Sequence, residues 1–124
     1  VNLVPARRTG LLTVGLAPVI GGSPARALRA WRDDAGAHPS PNAGVAEATA
    51  AGALGVGLGG ETAYRHGVEQ RPRLGRGPAP TTDDLRRAVR LSAAVQAAAA
   101  LVTAAVAAQI TAGAAGRVGQ RRRP

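Results

Sequence analysis

From Leu91 to Gly116 the chain runs 26 residues without a charged side chain, and this stretch limits what the rest can become. As a helix rising 1.5 Å per residue it is long enough to cross the roughly 30 Å hydrocarbon core of a bilayer. Its larger apolar side chains are Leu91, Val95, Leu101, Val102, Val106 and Ile110 on a background of Ala, with Gln96 and Gln109 among them. Six such residues at about −0.3 to −0.6 kcal/mol each favour insertion by only a few kcal/mol. Spacings of four and seven put most of them on one helical stripe. The pattern fits a membrane helix packed against others through its small residues, and it also fits an Ala-rich helix in water. The first reading predicts a span over 91–116.

The rest of the composition points the same way. Phe and Met are absent and there is one Trp and one Tyr, so the 45% hydrophobic fraction rests on Ala, Val, Leu and Ile. At roughly 25 cal/mol per Å² of buried apolar surface, Ala-rich segments stabilise a water-soluble core weakly. Lipid, or packing against segments beyond this chain, accounts for them more easily. The sequence opens on Val1 with residues that read as the interior of a longer protein, so a truncated piece is expected. The net charge of +9 comes from 16 Arg and no Lys, a bias that a G/C-rich genome produces without functional demand. Absence of Cys excludes disulfides and thiolate metal sites. The N-terminal residues lack the charged, apolar and cleavage-site order of a signal peptide.

A second uncharged run, 17 residues from Thr9 to Ala25, sits at the lower length limit for a span. Pro18 and Gly21-Gly22 weaken it as a helix, although lipid-embedded helices tolerate both residue types better than soluble ones. The expected fold class is therefore all-α, a multi-pass membrane fragment with about two transmembrane helices. The segments are a span at 9–25, an irregular polar region at 26–90 with a short helix, a span at 91–116 and a basic tail at 117–124. The polar region holds all seven acidic residues and ten of the Arg. Within it, Val45 to Val56 reads as a helix of small residues that Gly57–Gly60 terminates, and 71–80 has turn and extended-chain chemistry. Pro80-Thr81-Thr82-Asp83-Asp84 supplies a hydroxyl cap and first-turn acids for the last helix, expected to begin near Thr82, with Arg86 and Arg87 placed to pair with them. Arg flanks both ends of both runs; the polar region is expected on the cytoplasmic side of a cell membrane.

Chemistry concentrates at His38-Pro39-Ser40-Pro41-Asn42-Ala43-Gly44. Each proline fixes its own φ and pushes the preceding residue from the α region, so His38 to Pro41 should be extended, with Asn42 as cap of the next helix. A helix N-terminus beside Ser40, Asn42 and His38 could receive a carboxylate or phosphate, or be a proline-stiffened turn that binds nothing. Glu47, a turn into that helix, could act as a base toward an amine or simply favour the helix dipole. Gly55, Gly57 and Gly60 have dinucleotide-loop spacing, but they follow a helix-like run where a strand should stand, so a helix stop explains them better. Arg117 and Arg121–Arg123 lack interleaved aromatics, so a juxtamembrane tail is expected and nucleic acid is not. His38 and His66 are too few to define a metal site.

Taken together, several stretches resemble the C-terminal portion of the CobD/CbiB family of cobalamin-biosynthesis proteins. These are Asn2-Leu3-Val4-Pro5-Ala6-Arg7, Trp31-Arg32-Asp33-Asp34-Ala35, His38 to Gly44 leading into Glu47-Ala48, Ala51 to Gly60 with Tyr64, and Arg71-Pro72 with Leu74-Gly75. Order and spacing match over residues 1 to about 92. Gly57 stands where the family usually has a larger residue, and Glu61-Thr62-Ala63 replaces a more usual Asn-containing turn.

The resemblance implies an integral membrane enzyme that joins adenosylcobyric acid to aminopropanol or its O-phosphate through an amide bond, with ATP as the implied activating cofactor. It makes Arg7, Ser40, Asn42 and Tyr64 candidate substrate contacts and Glu47 and His38 candidate catalytic residues, with no metal. Implied partners are the corrinoid, the amine, the lipid bilayer and the N-terminal half of a longer parent, without which the piece should be inactive. The competing reading is a non-enzymatic Arg-rich protein, membrane-associated or nucleic-acid-binding, whose Ala-rich helix drives oligomerisation.

Overall fold

The computed structural model describes residues 3–120, with side chains described through residue 115. Four helices and one hairpin follow in order: α1 (Leu3–Leu16), α2 (Pro24–Asp34), α3 (Pro41–Leu54), β1 (Leu58–Tyr64), β2 (Gly67–Leu74) and α4 (Thr82–Gln120). Short 3-10 turns cover Ala17–Ile20 and Ala35–Ala37.

Local chemistry sets the helix ends. Ser23 and Ser40 cap α2 and α3 by accepting from the Arg26 and Ala43 N–H groups, each followed by a proline at the first helical position. Asn42 thus lies inside α3 and is not its cap, because Pro41 already has the φ a helix start needs. At the other end Gly55 turns left-handed (φ 75°) and returns its N–H to the Ala51 carbonyl, closing the helix one residue before Val56. Thr81 and Asp84 cap α4 reciprocally, the Thr81 Oγ1 accepting from the Asp84 N–H and the Asp84 carboxylate from the Thr81 N–H. The expected Asp83–Arg86 and Asp84–Arg87 pairs form at 2.6 and 2.9 Å.

Packing is built on glycine. A Cβ at Gly52 of α3 would collide with the Arg26 carbonyl and the Ala27 Cα of α2. One at Gly44 would strike the Ala35 carbonyl, and one at Gly10 would meet Val45 and Trp31. Two small cores fill around these approaches. One gathers Ala17, Ile20, Ala27, Ala53 and Leu91, and the other Ala30, Ala35, Val45, Ala48 and Leu74. Arg87 ties the first core's edge together: its Nε donates to the Ile20 carbonyl and its Nη1 to the Leu54 carbonyl, both at 3.1 Å, and Nη1 also to Asp84 at 2.9 Å.

Three expectations change. The chain is mostly helical but not all-α: β1 and β2 pair antiparallel, with Thr62 opposite Glu69 and Gly60 opposite Arg71. Gly59 and Gly60, both at positive φ, absorb an irregularity in the ladder next to Leu58. Residues 26–90 therefore form α2, α3, the hairpin and the start of α4, where a largely irregular connection was expected. The run 9–25 is not one helix. It breaks at Leu16 into the 3-10 turn that contains Pro18, and Gly21 (φ 68°) closes that turn. At about 1.5 Å per residue, the 14 residues of α1 fall short of a bilayer core.

Among the described residues one helix, 82–115, is long and apolar enough to cross a membrane. Its Leu91 joins the first core with Val95 packed against it, whereas Leu101 and Ile110 further on are 72% and 67% exposed. The basic tail at 121–124 lies outside the described residues, as does the side chain of Arg117.

The glycines give a paired expectation. Gly52→Ala should lower stability by about 1–3 kcal/mol, since backbone has to move. Gly15→Ala, at an exposed position in the last turn of α1 with open space around its Cβ, should raise it by about 0.5 kcal/mol. Denaturation midpoints of the two variants should move in opposite directions.

Candidate functional site

His38 is the residue around which the candidate site is arranged. It follows the Ala35–Ala37 turn in extended conformation (φ −79°, ψ 135°), held there by Pro39 and by the seating of that turn over Gly44. Its side chain is 7% exposed. The Ser40 N–H donates to His38 Nδ1 at 2.9 Å, and an N–H can only donate. The Ser40 carbonyl oxygen stands 3.0 Å from the same nitrogen, so Nδ1 accepts from the N–H in the tautomer protonated at Nε2 and donates to the carbonyl in the other. Nε2 is buried without a hydrogen-bond partner and faces the Glu47 carboxylate, 3.7 Å away.

The ring lines two open clefts. The larger, about 270 Å³, is walled by Leu3 and Arg7 of α1, Trp31 of α2, and Asn42 and Val45 of α3. The smaller, about 180 Å³, lies on the other side, walled by Glu47, Thr62, Tyr64, Arg71 and Leu74. Each expected site residue can now be placed. Arg7 and Asn42 meet in the larger cleft, Glu47 and Tyr64 in the smaller, and His38 belongs to both. Ser40 lines neither; its hydroxyl caps α3 and its backbone N–H orients His38.

Arg71, Thr62 and Trp31 were not singled out from the sequence as site residues. Arg71 enters the smaller cleft because the hairpin register sets it opposite Gly60, and recognising that pairing required recognising the strands. Tyr64, 42% exposed, stacks on the His66 ring with centroids 5.3 Å apart. The hairpin is anchored by the Gly75 N–H donating to the Asp34 carboxylate (2.9 Å) and by the exposed Arg76–Asp33 pair. The arrangement puts one guanidinium in each cleft, one carboxylate in the smaller, and an imidazole between. That set can hold an anion on one side and an ammonium group on the other, and can exchange protons where they meet. Among the described residues no group of three His, Asp or Glu side chains is placed to hold a metal ion.

Residues 1–92 match the protein family described as CobD/Cbib protein. The chain belongs to the CobD/CbiB family. It is 60% identical over 101 residues to the cobalamin biosynthesis protein CobD of Mycobacterium tuberculosis, covering 82% of this chain and 32% of that protein. The protein of the same name from Chromobacterium violaceum is 48% identical over 90 residues, and that from Geobacter metallireducens 49% over 74. The chain thus spans about a third or less of the length of these relatives. No solved structure matches it. Every residue of both clefts named above falls inside the CobD/CbiB match, which ends where the uncharged part of α4 begins.

The two roles of Ser40 separate experimentally. Ser40→Ala keeps the N–H that orients His38 and loses the cap, so it should cost about 1 kcal/mol of stability. Thermal denaturation should show that loss while the His38 ring resonances stay unchanged.

Proposed function

We propose that this chain is the C-terminal part of a membrane enzyme of cobalamin biosynthesis that forms the amide between adenosylcobyric acid and aminopropanol or its O-phosphate. The observation that carries this reading is the convergence, on His38, of family-matched residues from four separate elements. The names of the relatives support the pathway, and the chemistry of the clefts supports the reaction class. A cavity of about 150 Å³ holds one benzene. The two clefts, about 270 and 180 Å³, therefore fit a corrinoid's side-arm and a small amino alcohol, while the macrocycle rests outside.

On this reading Arg7, with Asn42 beside it, receives the carboxylate in the larger cleft. Glu47 accepts the proton of the amine in the smaller one, where Tyr64 and Arg71 complete the wall. A carboxylate does not acylate an amine without activation, and the family resemblance supplies ATP as the phosphoryl donor. Guanidinium groups suit the charge that develops on an acyl phosphate. The corrinoid and the remaining two thirds of the parent are the partners this reaction needs.

Cell-membrane placement is part of the same proposal. It is supported by the exposed apolar face of α4 and by an open apolar groove of about 490 Å³ between α1 and α4, lined by Leu11, Leu12, Val102 and Val106. Apolar surface on that scale marks a contact with lipid or with further helices. Two spans within the chain require α1 and the turn after it to lie in the bilayer as a broken segment.

Two measurements test the proposal. A strain lacking this amide-forming step should grow when given the full-length parent and should fail when the parent carries Arg7→Ala and Glu47→Ala together; normal growth with the double variant removes the site assignment. Membranes from cells making the parent should retain it through an alkaline carbonate wash, and release into the wash would favour the peripheral, non-enzymatic reading.

A further inference from the structure

One polar group at the site has no stated task. The His38 side chain is more than nine-tenths buried, its Nδ1 lies within hydrogen-bonding distance of both the N–H and the carbonyl of Ser40, and its Nε2 has no hydrogen-bond partner. A buried polar atom without a partner is costly, so its burial asks for a reason. The carboxylate facing it at 3.7 Å is Glu47, which is 45% exposed and free to shift. Less than an ångström of movement would bring Oε1 within hydrogen-bonding distance of Nε2. Charge-assisted bonds of that kind are short and strong.

We propose that His38 is a positioning residue: its Nε2–H, fixed by the Ser40 N–H at the opposite ring nitrogen, holds one oxygen of Glu47 and leaves the other aimed into the smaller cleft for a primary amine. This inference rests on the amide-forming reading above and adds a division of labour to it. The imidazole holds the carboxylate and exchanges no proton with substrate. The amine nitrogen bonds to the carbonyl carbon of an acyl phosphate, and the C–O bond to phosphate breaks with its electron pair leaving on phosphate. Glu47 takes the proton that nitrogen sheds. The acyl phosphate itself derives from the carboxylate and a nucleoside triphosphate, with the diphosphate released. A carboxylate that wanders by an ångström can lose on the order of 10²-fold in rate, the scale on which His38 acts.

Gln and Asn divide the two ring nitrogens between them. His38→Asn keeps an acceptor near the place of Nδ1 for the Ser40 N–H and loses the donor to Glu47, whereas His38→Gln restores a donor near the place of Nε2 and loses the acceptor. In membranes containing the full-length parent, amide formation is followed with adenosylcobyric acid, ATP and aminopropanol O-phosphate. Expected for His38→Asn is a kcat roughly 10²-fold lower with the corrinoid KM within about threefold. His38→Gln should retain most of kcat, and His38→Asn should add no loss in a Glu47→Ala background.

An Asn variant as active as Gln or more so, or a loss that persists undiminished without Glu47, overturns the proposal. The ¹⁵N resonances of His38 in the labelled parent provide a test that needs no substitution. A proton on Nε2 supports the proposal, and a neutral ring protonated at Nδ1 overturns it. A parent that forms no amide with the original residues in place refutes the underlying reading instead, while the resonances still report on the His38 lock.

Discussion

Where α3 crosses α2, at Gly52, there is no side chain between the two backbones, and most of the structure follows from that approach. A chain with no Phe or Met has few large side chains to fill a gap, so its helices gain contact by coming close. Dispersion falls off steeply with separation, and close-set Ala and Gly surfaces recover part of what large side chains supply elsewhere. The same closeness repeats at Gly44, where the turn after α2 rests on the first residues of α3. His38 is the residue at which that turn leaves the contact. Its burial is thus a result of glycine packing, and a bulkier α3 would lift it away from both clefts.

Bonds to backbone hold the outer pieces in place. Arg87 reaches two carbonyls from separate segments through two different nitrogens of its planar fork. Asp34 captures the Gly75 N–H and so fixes the end of the hairpin against α2, which is how Arg71 comes to share a wall with Glu47. Exposed pairs such as Arg76–Asp33 add little to this. The site draws on α1, the turn after α2, α3 and the hairpin, so no short stretch of sequence contains it.

Features decided by neighbouring residues were legible in the sequence. Pro39 and Pro41 foretold the extended His38 and Ser40, although Pro41 itself opens α3, and the stretch from Pro80 to Asp84 foretold the start and ion pairs of α4. His38, Asn42, Arg7, Glu47 and Tyr64 could be singled out as well, although their grouping into two clefts could not. Features decided at a distance were hidden. Leu58–Leu74 carries Gly and Arg where strands usually alternate apolar and polar, and it pairs because Leu74 is buried beneath α3 and the turn is anchored to Asp34. The cap fell two residues earlier, on Ser40 before Pro41, and Asn42 lines the larger cleft instead. Thr9 to Ala25 lacks charge as a span does, but Leu16 to Gly21 turns, which hydropathy does not register.

Trp31 gives the molecule an optical property. It is the single tryptophan of the chain, and its ring lies between Gly10 and the larger cleft. Indole emission responds to the polarity and quenching groups of its surroundings, and here those surroundings are the wall on which an anion beside Arg7 would rest. In this segment any change of fluorescence on adding ligand comes from one position, next to the cleft. The scarcity of aromatic residues that leaves the core so dependent on glycine therefore also leaves the site with a built-in, unambiguous light signal.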